Sequence, residues 1–132
     1  MKRASGFTVI EVLVVLTFLL VGAFIFITQK AEVEAAGRDT QRKTAINAMY
    51  YALEESYYQK NNYYPQAIDS KTLRAVDPDM FRDPNGVKLG ESGSQYSYEG
   101  RGCTLDGKCE GYILLSEMER EASYEKTSRH SE

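Results

Sequence analysis

Between Phe7 and Ile27 the chain is apolar except for two threonines, Thr8 and Thr17, and one carboxylate, Glu11. About 21 residues rising ~1.5 Å each as a helix would cover about 31 Å, close to the hydrocarbon thickness of a bilayer. The stretch is therefore long enough to cross a membrane, and a helix can do so because it makes its backbone hydrogen bonds internally. An ionised side chain at a bilayer centre costs about 2.5–3.5 kcal/mol on insertion scales, and less towards an end. Glu11 thus calls for a cation, since an unpaired charge in a dry environment is expensive.

The residues before it suggest a source. Met1-Lys2-Arg3-Ala4-Ser5-Gly6 is a short basic leader that stops at a glycine directly before Phe7. Cleavage after Gly6 would create an α-amino group on Phe7, one helical turn from Glu11. With Gly6, Phe7, Thr8 and Glu11 in this register, the chain resembles the type IV pilin superfamily, which includes pilus subunits and the pseudopilins of type II secretion and competence systems. Members share a basic leader closing on glycine, then phenylalanine, a small or apolar residue, and glutamate as the fifth residue of an apolar helix.

The resemblance implies a role for each position. Gly6 precedes the cut made by a prepilin peptidase on the cytoplasmic face, and Phe7 is then N-methylated. Glu11 neutralises the Phe7 amine of a neighbouring subunit during filament assembly, with a Phe7 to Glu11 pair inside one chain as the open alternative. Lys2 and Arg3 hold the leader inside, as the positive-inside bias also expects. The partners implied are the peptidase, other pilin or pseudopilin subunits, and an inner-membrane assembly platform. The implied location is the inner (cytoplasmic) membrane as a single-pass precursor, then an extracellular or periplasmic filament. One departure is that many members carry a proline late in the span, whereas here none occurs before Pro65.

Two simpler readings compete. Val21-Gly22-Ala23 loosely fits a signal-peptidase site, but the apolar run continues through Phe24-Ile25-Phe26-Ile27 and Glu11 interrupts the h-region. The other is a plain signal anchor on a membrane-anchored binding domain that never polymerises.

Beyond the span, 132 residues leave room for one small domain. The formal charge of −3 grows more negative by two if Lys2 and Arg3 are removed. An acidic product argues against nucleic acid as a primary partner. Ile46, Met49, Tyr50, Leu53 and Tyr57 recur at helical spacing, so the helix is expected to run from Phe7 to about Lys60 with an amphipathic second half. Within it, Arg38, Asp39, Arg42 and Lys43 read as a solvated charged face rather than an intersubunit patch. Adjacent tyrosines such as Tyr57-Tyr58 point about 100° apart, so one ring of each pair is expected in the core and one at the rim.

Asn61-Asn62 and Pro65 are stop signals. A short helix is expected over Ser70 to Val76, turns at Asp77-Pro78-Asp79 and Asp83-Pro84-Asn85-Gly86, and strands at Val87 to Leu89, Gln95 to Glu99 and Gly111 to Glu119. The fold class is therefore α+β, a long helix packed on a small antiparallel sheet. Its organisation is leader 1–6, transmembrane half 7–28, amphipathic half 29–61, head 62–119 and a mobile tail 120–132. Asp77, Asp79 and Asp83 offer oxygen ligands of the kind calcium takes, but Pro78 and Arg82 interrupt them and the spacing is not that of an EF-hand loop. Turn capping is the reading adopted, and no metal or other cofactor is assigned. With His130 as the one histidine and no nucleophile-elbow motif, no catalytic constellation is found.

Cys103 and Cys109 lie beyond the membrane from the basic leader, in an oxidising compartment where a disulfide is expected. A two-residue turn at Asp106-Gly107 would pair Cys103 with Glu110 and put the sulfurs on opposite faces. A three-residue loop, Leu105-Asp106-Gly107, with Gly107 left-handed, instead pairs Thr104 with Lys108 and sets Cys103 opposite Cys109. The expected bridge presents Leu105 to Lys108 at the head surface.

Overall fold

The computed structural model describes residues 6–130. They fall into two units, Met1–Ala35 and Ala36–Glu132, and helix α1 (Val9–Tyr51) contributes to both. Lys2 and Arg3 lie outside the described residues.

In the first unit α1 starts with a reciprocal cap. The Glu11 N–H donates to Thr8 Oγ1 at 3.2 Å, while the Thr8 N–H donates to Glu11 Oε2 at 3.1 Å. The spacing Thr8-x-x-Glu11 is that of a capping box, which satisfies two N–H groups that lipid would leave unmet. Thr17 and Thr28 donate their hydroxyls back to the carbonyls of Leu13 and Ile25, at 2.8 and 2.9 Å. Apolar side chains from Phe7 to Ile27 are all exposed, as a helix meant for lipid or for other helices leaves them.

The second unit holds the core. After Tyr51 the helix widens into a π-helical stretch, Ala52–Tyr58, then closes with α2, Gln59–Asn61. Asn62, left-handed at φ 58°, ends it, donating its N–H to the Tyr58 carbonyl at 2.7 Å. Thus the expected extent is found, with a change of period that the sequence stripe does not anticipate. Ile46, Met49 and Leu53 are fully buried, and Tyr50 and Tyr57 pack partly buried against the same core.

Two small antiparallel sheets complete the head. β2 (Tyr96–Arg101), β4 (Gly111–Ser116) and β5 (Tyr124–Thr127) form the larger one in the order β2-β4-β5, with Tyr98 opposite Leu114 and Leu114 opposite Lys126. β1 (Tyr64–Pro65) pairs with β3 (Lys108–Cys109) in the smaller. The architecture is α+β.

Three expectations are corrected. Residues 120–132 are not simply a tail, because β5 lies within them and Ser128 is buried, donating its N–H to the Tyr112 carbonyl. β5 supplies the third strand beside β4, and its two charged residues, Glu125 and Lys126, suit an edge. Ser70 to Val76 forms turns rather than a helix, with Asp69 Oδ1 accepting from the N–H groups of Lys71 and Thr72 at 3.0 and 2.8 Å. Val87 to Leu89 contributes only an isolated bridge, Arg82 to Lys88.

Candidate functional site

In the first unit the site is the helix start. Gly6 and Phe7 precede the cap in exposed, non-helical backbone, so the bond between them lies outside the hydrogen-bonded helix. Glu11 carries no cation among the described residues. Its Oε2 takes both the Thr8 N–H and the Thr8 hydroxyl, at 3.1 and 3.2 Å. Oε1 makes no hydrogen bond among the described residues. The carboxylate therefore has a structural job in its own chain, favoured also by the positive end of the helix dipole, and still presents one oxygen outward.

In the head, the disulfide joins Cys103 to Cys109. Around it Thr104 donates its N–H to the Lys108 carbonyl at 2.8 Å, Gly107 donates to the Thr104 carbonyl at 3.0 Å, and Gly107 stands at φ 77°. The three-residue loop expected from the sequence is thus formed, with Leu105 fully exposed at its tip. Cys109 also pairs with Tyr64 across β1 and β3, so the hairpin is stitched to the chain just past the helix.

The charged block departs from the solvated face. Arg42 is fully buried, its guanidinium donating to Asp39 Oδ1 at 2.7 Å, Gln95 Oε1 at 2.6 Å and Glu119 Oε1 at 2.7 Å. Arg38 grips Glu119 with two further bonds of 2.8 and 2.7 Å. Asp39, also buried, accepts from the N–H groups of Glu119 and Arg120 at 2.9 and 3.0 Å. These bonds latch the segment after β4 onto the helix. Contact with Arg38 and Arg42 holds the Glu119 carboxyl down to about 2. Burial pushes the Asp39 carboxyl up, yet the backbone N–H groups and Arg42 outweigh it and hold it below its ordinary value.

A second buried carboxylate was not foreseen. Glu54, in the π-helical stretch, accepts from the Tyr64 hydroxyl at 3.0 Å, the Tyr112 hydroxyl at 2.9 Å and the Arg129 N–H at 3.1 Å. Burial, then the bond to Glu54, raises both tyrosines above their ordinary value. Tyr64 stacks on Tyr58, which in turn stacks on His130. Helix, β1, β4 and the C-terminal segment so meet at one acid.

Of the three aspartates weighed for calcium, Asp83 turns its carboxylate to the N–H groups of Asn85, Val87 and Gln95, at 3.0, 2.9 and 3.0 Å. Asp77 caps the Pro78–Phe81 3₁₀ turn through the Asp79 N–H. Among the described residues no group of three or more His, Cys, Asp or Glu side chains is gathered as for a metal ion. Beside these turns lies an apolar groove of about 550 Å³, walled by Thr44 and Ala45 of α1, Met80, Pro84 and the Tyr96 ring.

No protein-family model, no curated protein and no solved structure matches the chain. The fold defines a class: a disulfide-bonded α+β head following a helix long and apolar enough to cross a membrane.

Proposed function

We propose that the chain is a structural subunit of a type IV pilus or a related filament, cut after Gly6 by a prepilin peptidase and anchored in the inner membrane before assembly. The observation that carries this reading is Glu11. It is a carboxylate near the start of an exposed apolar helix, with one oxygen outward and no cation among the described residues. A neighbour's Phe7 amine would supply that cation where water cannot. Lys2 and Arg3 would leave with the leader. The type II secretion pseudopilin is the variant of the same reading, and the partners are other subunits and the assembly platform. A membrane-anchored binding domain that does not polymerise is the reading from a different class, and the capping of Glu11 by Thr8 of its own chain, which needs no neighbour, favours it.

The mature N-terminus decides between them. Mass spectrometry is expected to find a chain beginning at methylated Phe7, and Gly6→Val is expected to accumulate uncut precursor in the membrane. A mature chain beginning at Met1 or Phe24 would refute the filament reading.

A further inference from the structure

Among the described residues of the head, only Tyr51 and Leu105 are large apolar side chains left exposed, and Leu105 is bare of contacts at the tip of the disulfide hairpin. The bridge, the paired Thr104 and Lys108, and the ladder to β1 hold that tip rigid. A preorganised knob loses little entropy on docking.

The groove offers what the knob lacks. Apolar atoms make up most of its lining, and Tyr96, one of the lining residues, is all but fully buried, yet its hydroxyl hydrogen-bonds to none of the described residues. Nor is that oxygen sealed off, since no fully enclosed side-chain polar atom lacks a partner. Tyr96 is one of the residues that line the groove, so this hydroxyl is a donor without an acceptor beside it. Arg82 stands at the rim, making one side-chain bond, to the Gly86 carbonyl at 3.2 Å, and Asp77 and Asp79 supply negative charge on the same lining. The hairpin tip carries the complement: Asp106 next to Leu105, and Lys108 two residues on.

One copy cannot satisfy both surfaces. The groove sits beside α1 at Thr40 to Ala45, whereas the hairpin is stitched to Tyr64–Pro65, past the helix end at Asn61. Tyr96 of the groove and Arg101, where the chain leaves for the hairpin, stand at opposite ends of β2, roughly 17 Å apart. A knob at one end of a head and its socket at the other make a heterologous contact, which repeats without closing.

We propose that the Leu105 hairpin of one copy seats in the Ala45–Met80–Tyr96 groove of the next, with the Asp106 carboxylate accepting from the Tyr96 hydroxyl and facing Arg82, and Lys108 facing Asp77 and Asp79. The contact deepens the filament reading and rests on it for its setting. It is smaller than a stable dimer needs, and gains strength only by repetition along a polymer held by other contacts.

The test places a photoreactive benzoylphenylalanine at position 105 of the full chain, irradiates intact cells, and maps adducts by mass spectrometry alongside the mature N-terminus. The expected result is a dimer adduct joining position 105 to residues 77–84 of a second copy, reduced at least about tenfold by Met80→Glu, which puts a charge into the socket. Retention of the Cys103–Cys109 bridge in Met80→Glu shows that the head still forms. Adducts confined to another segment or another protein overturn the contact, as does an adduct that Met80→Glu leaves unchanged. A chain that begins at Phe7 but gives no adduct sinks the contact and spares the filament reading. An adduct from a chain that begins elsewhere does the reverse, and the absence of both sinks both.

Discussion

Glu11 and Glu54 are both carboxylates in apolar surroundings, and they differ in what meets them. Glu54 receives three donors from distant parts of the chain, so it is a fixed point of the head. Tyr112→Phe leaves one Glu54 oxygen with the Arg129 N–H alone, and a lost bond to an ionised group costs about 1.5–3 kcal/mol. Tyr98→Phe, which removes a bond to the neutral Pro65 carbonyl at 2.6 Å, is expected to cost about 1 kcal/mol. Urea unfolding of the two variants measures the order, and a larger loss for Tyr98→Phe would contradict it. Among the described residues Glu11 has only Thr8. On the filament reading Glu11→Ala should leave membrane insertion intact while lowering filament content, because the desolvation cost goes together with the counter-charge. Insertion is read by membrane fractionation and assembly by sheared-filament yield; normal filaments in the variant would argue against the pairing. The Thr8-x-x-Glu11 cap was legible from spacing alone, although a carboxylate in an apolar run points first to a cation.

Among the elements, the disulfide hairpin was the most legible. Its register follows from which residues a short loop lets face each other, so the seven residues from Cys103 to Cys109 suffice. What the hairpin packs on was not legible. A Cβ on Gly100 of β2 would lie 2.7 Å from Cys109 Sγ and 2.9 Å from Cys103 Sγ, so the glycine is there because the bridge leaves no room. Gly100→Ala is expected to cost about 1–3 kcal/mol by overpacking and to raise the fraction of free thiol after export, which thiol labelling without reductant measures. The latch after β4 carries a pH dependence. Because Glu119, held to about 2, and Asp39 titrate lower folded than unfolded, their contribution is fully present above the unfolded carboxylate values near pH 4. It is lost as pH falls from there towards 2. Thermal melts across that acid range should show a shallower decline for Glu119→Gln than for the unsubstituted chain; parallel declines would remove the latch from the account. The block that forms it reads as solvated because, Asp39 apart, the partners of Arg42 lie 53 and 77 residues away.

At the scale of the molecule, the core draws on residues from Ala45 to Leu114, all in the second unit. A chain beginning at Gln29 is expected to fold without the span, keep the Cys103–Cys109 bridge and unfold cooperatively. Far-ultraviolet circular dichroism and a denaturant titration test this, and a non-cooperative transition would show that the head depends on the helix before it. The tyrosines set an upper limit on pH. Tyr64, Tyr98 and Tyr112 are raised, chiefly by burial, and Tyr96 is pushed up to about 12, so their contribution stands below the unfolded value near pH 10 and is lost above it.

Periodicity, turn chemistry and the cost of charge in lipid act over a few residues, so they sufficed to read the membrane-length helix, its asparagine stop, the α+β class and the cysteine loop from sequence. The inward turn of Asp39, Arg42 and Glu54, the π-helical change of period, and the strand within the last residues answer to partners far along the chain. A charged side chain is buried only when its donors and acceptors converge on it, and β5 is a strand only because β4 offers it a ladder. Those conditions exist once the chain has folded, and no local pattern announces them.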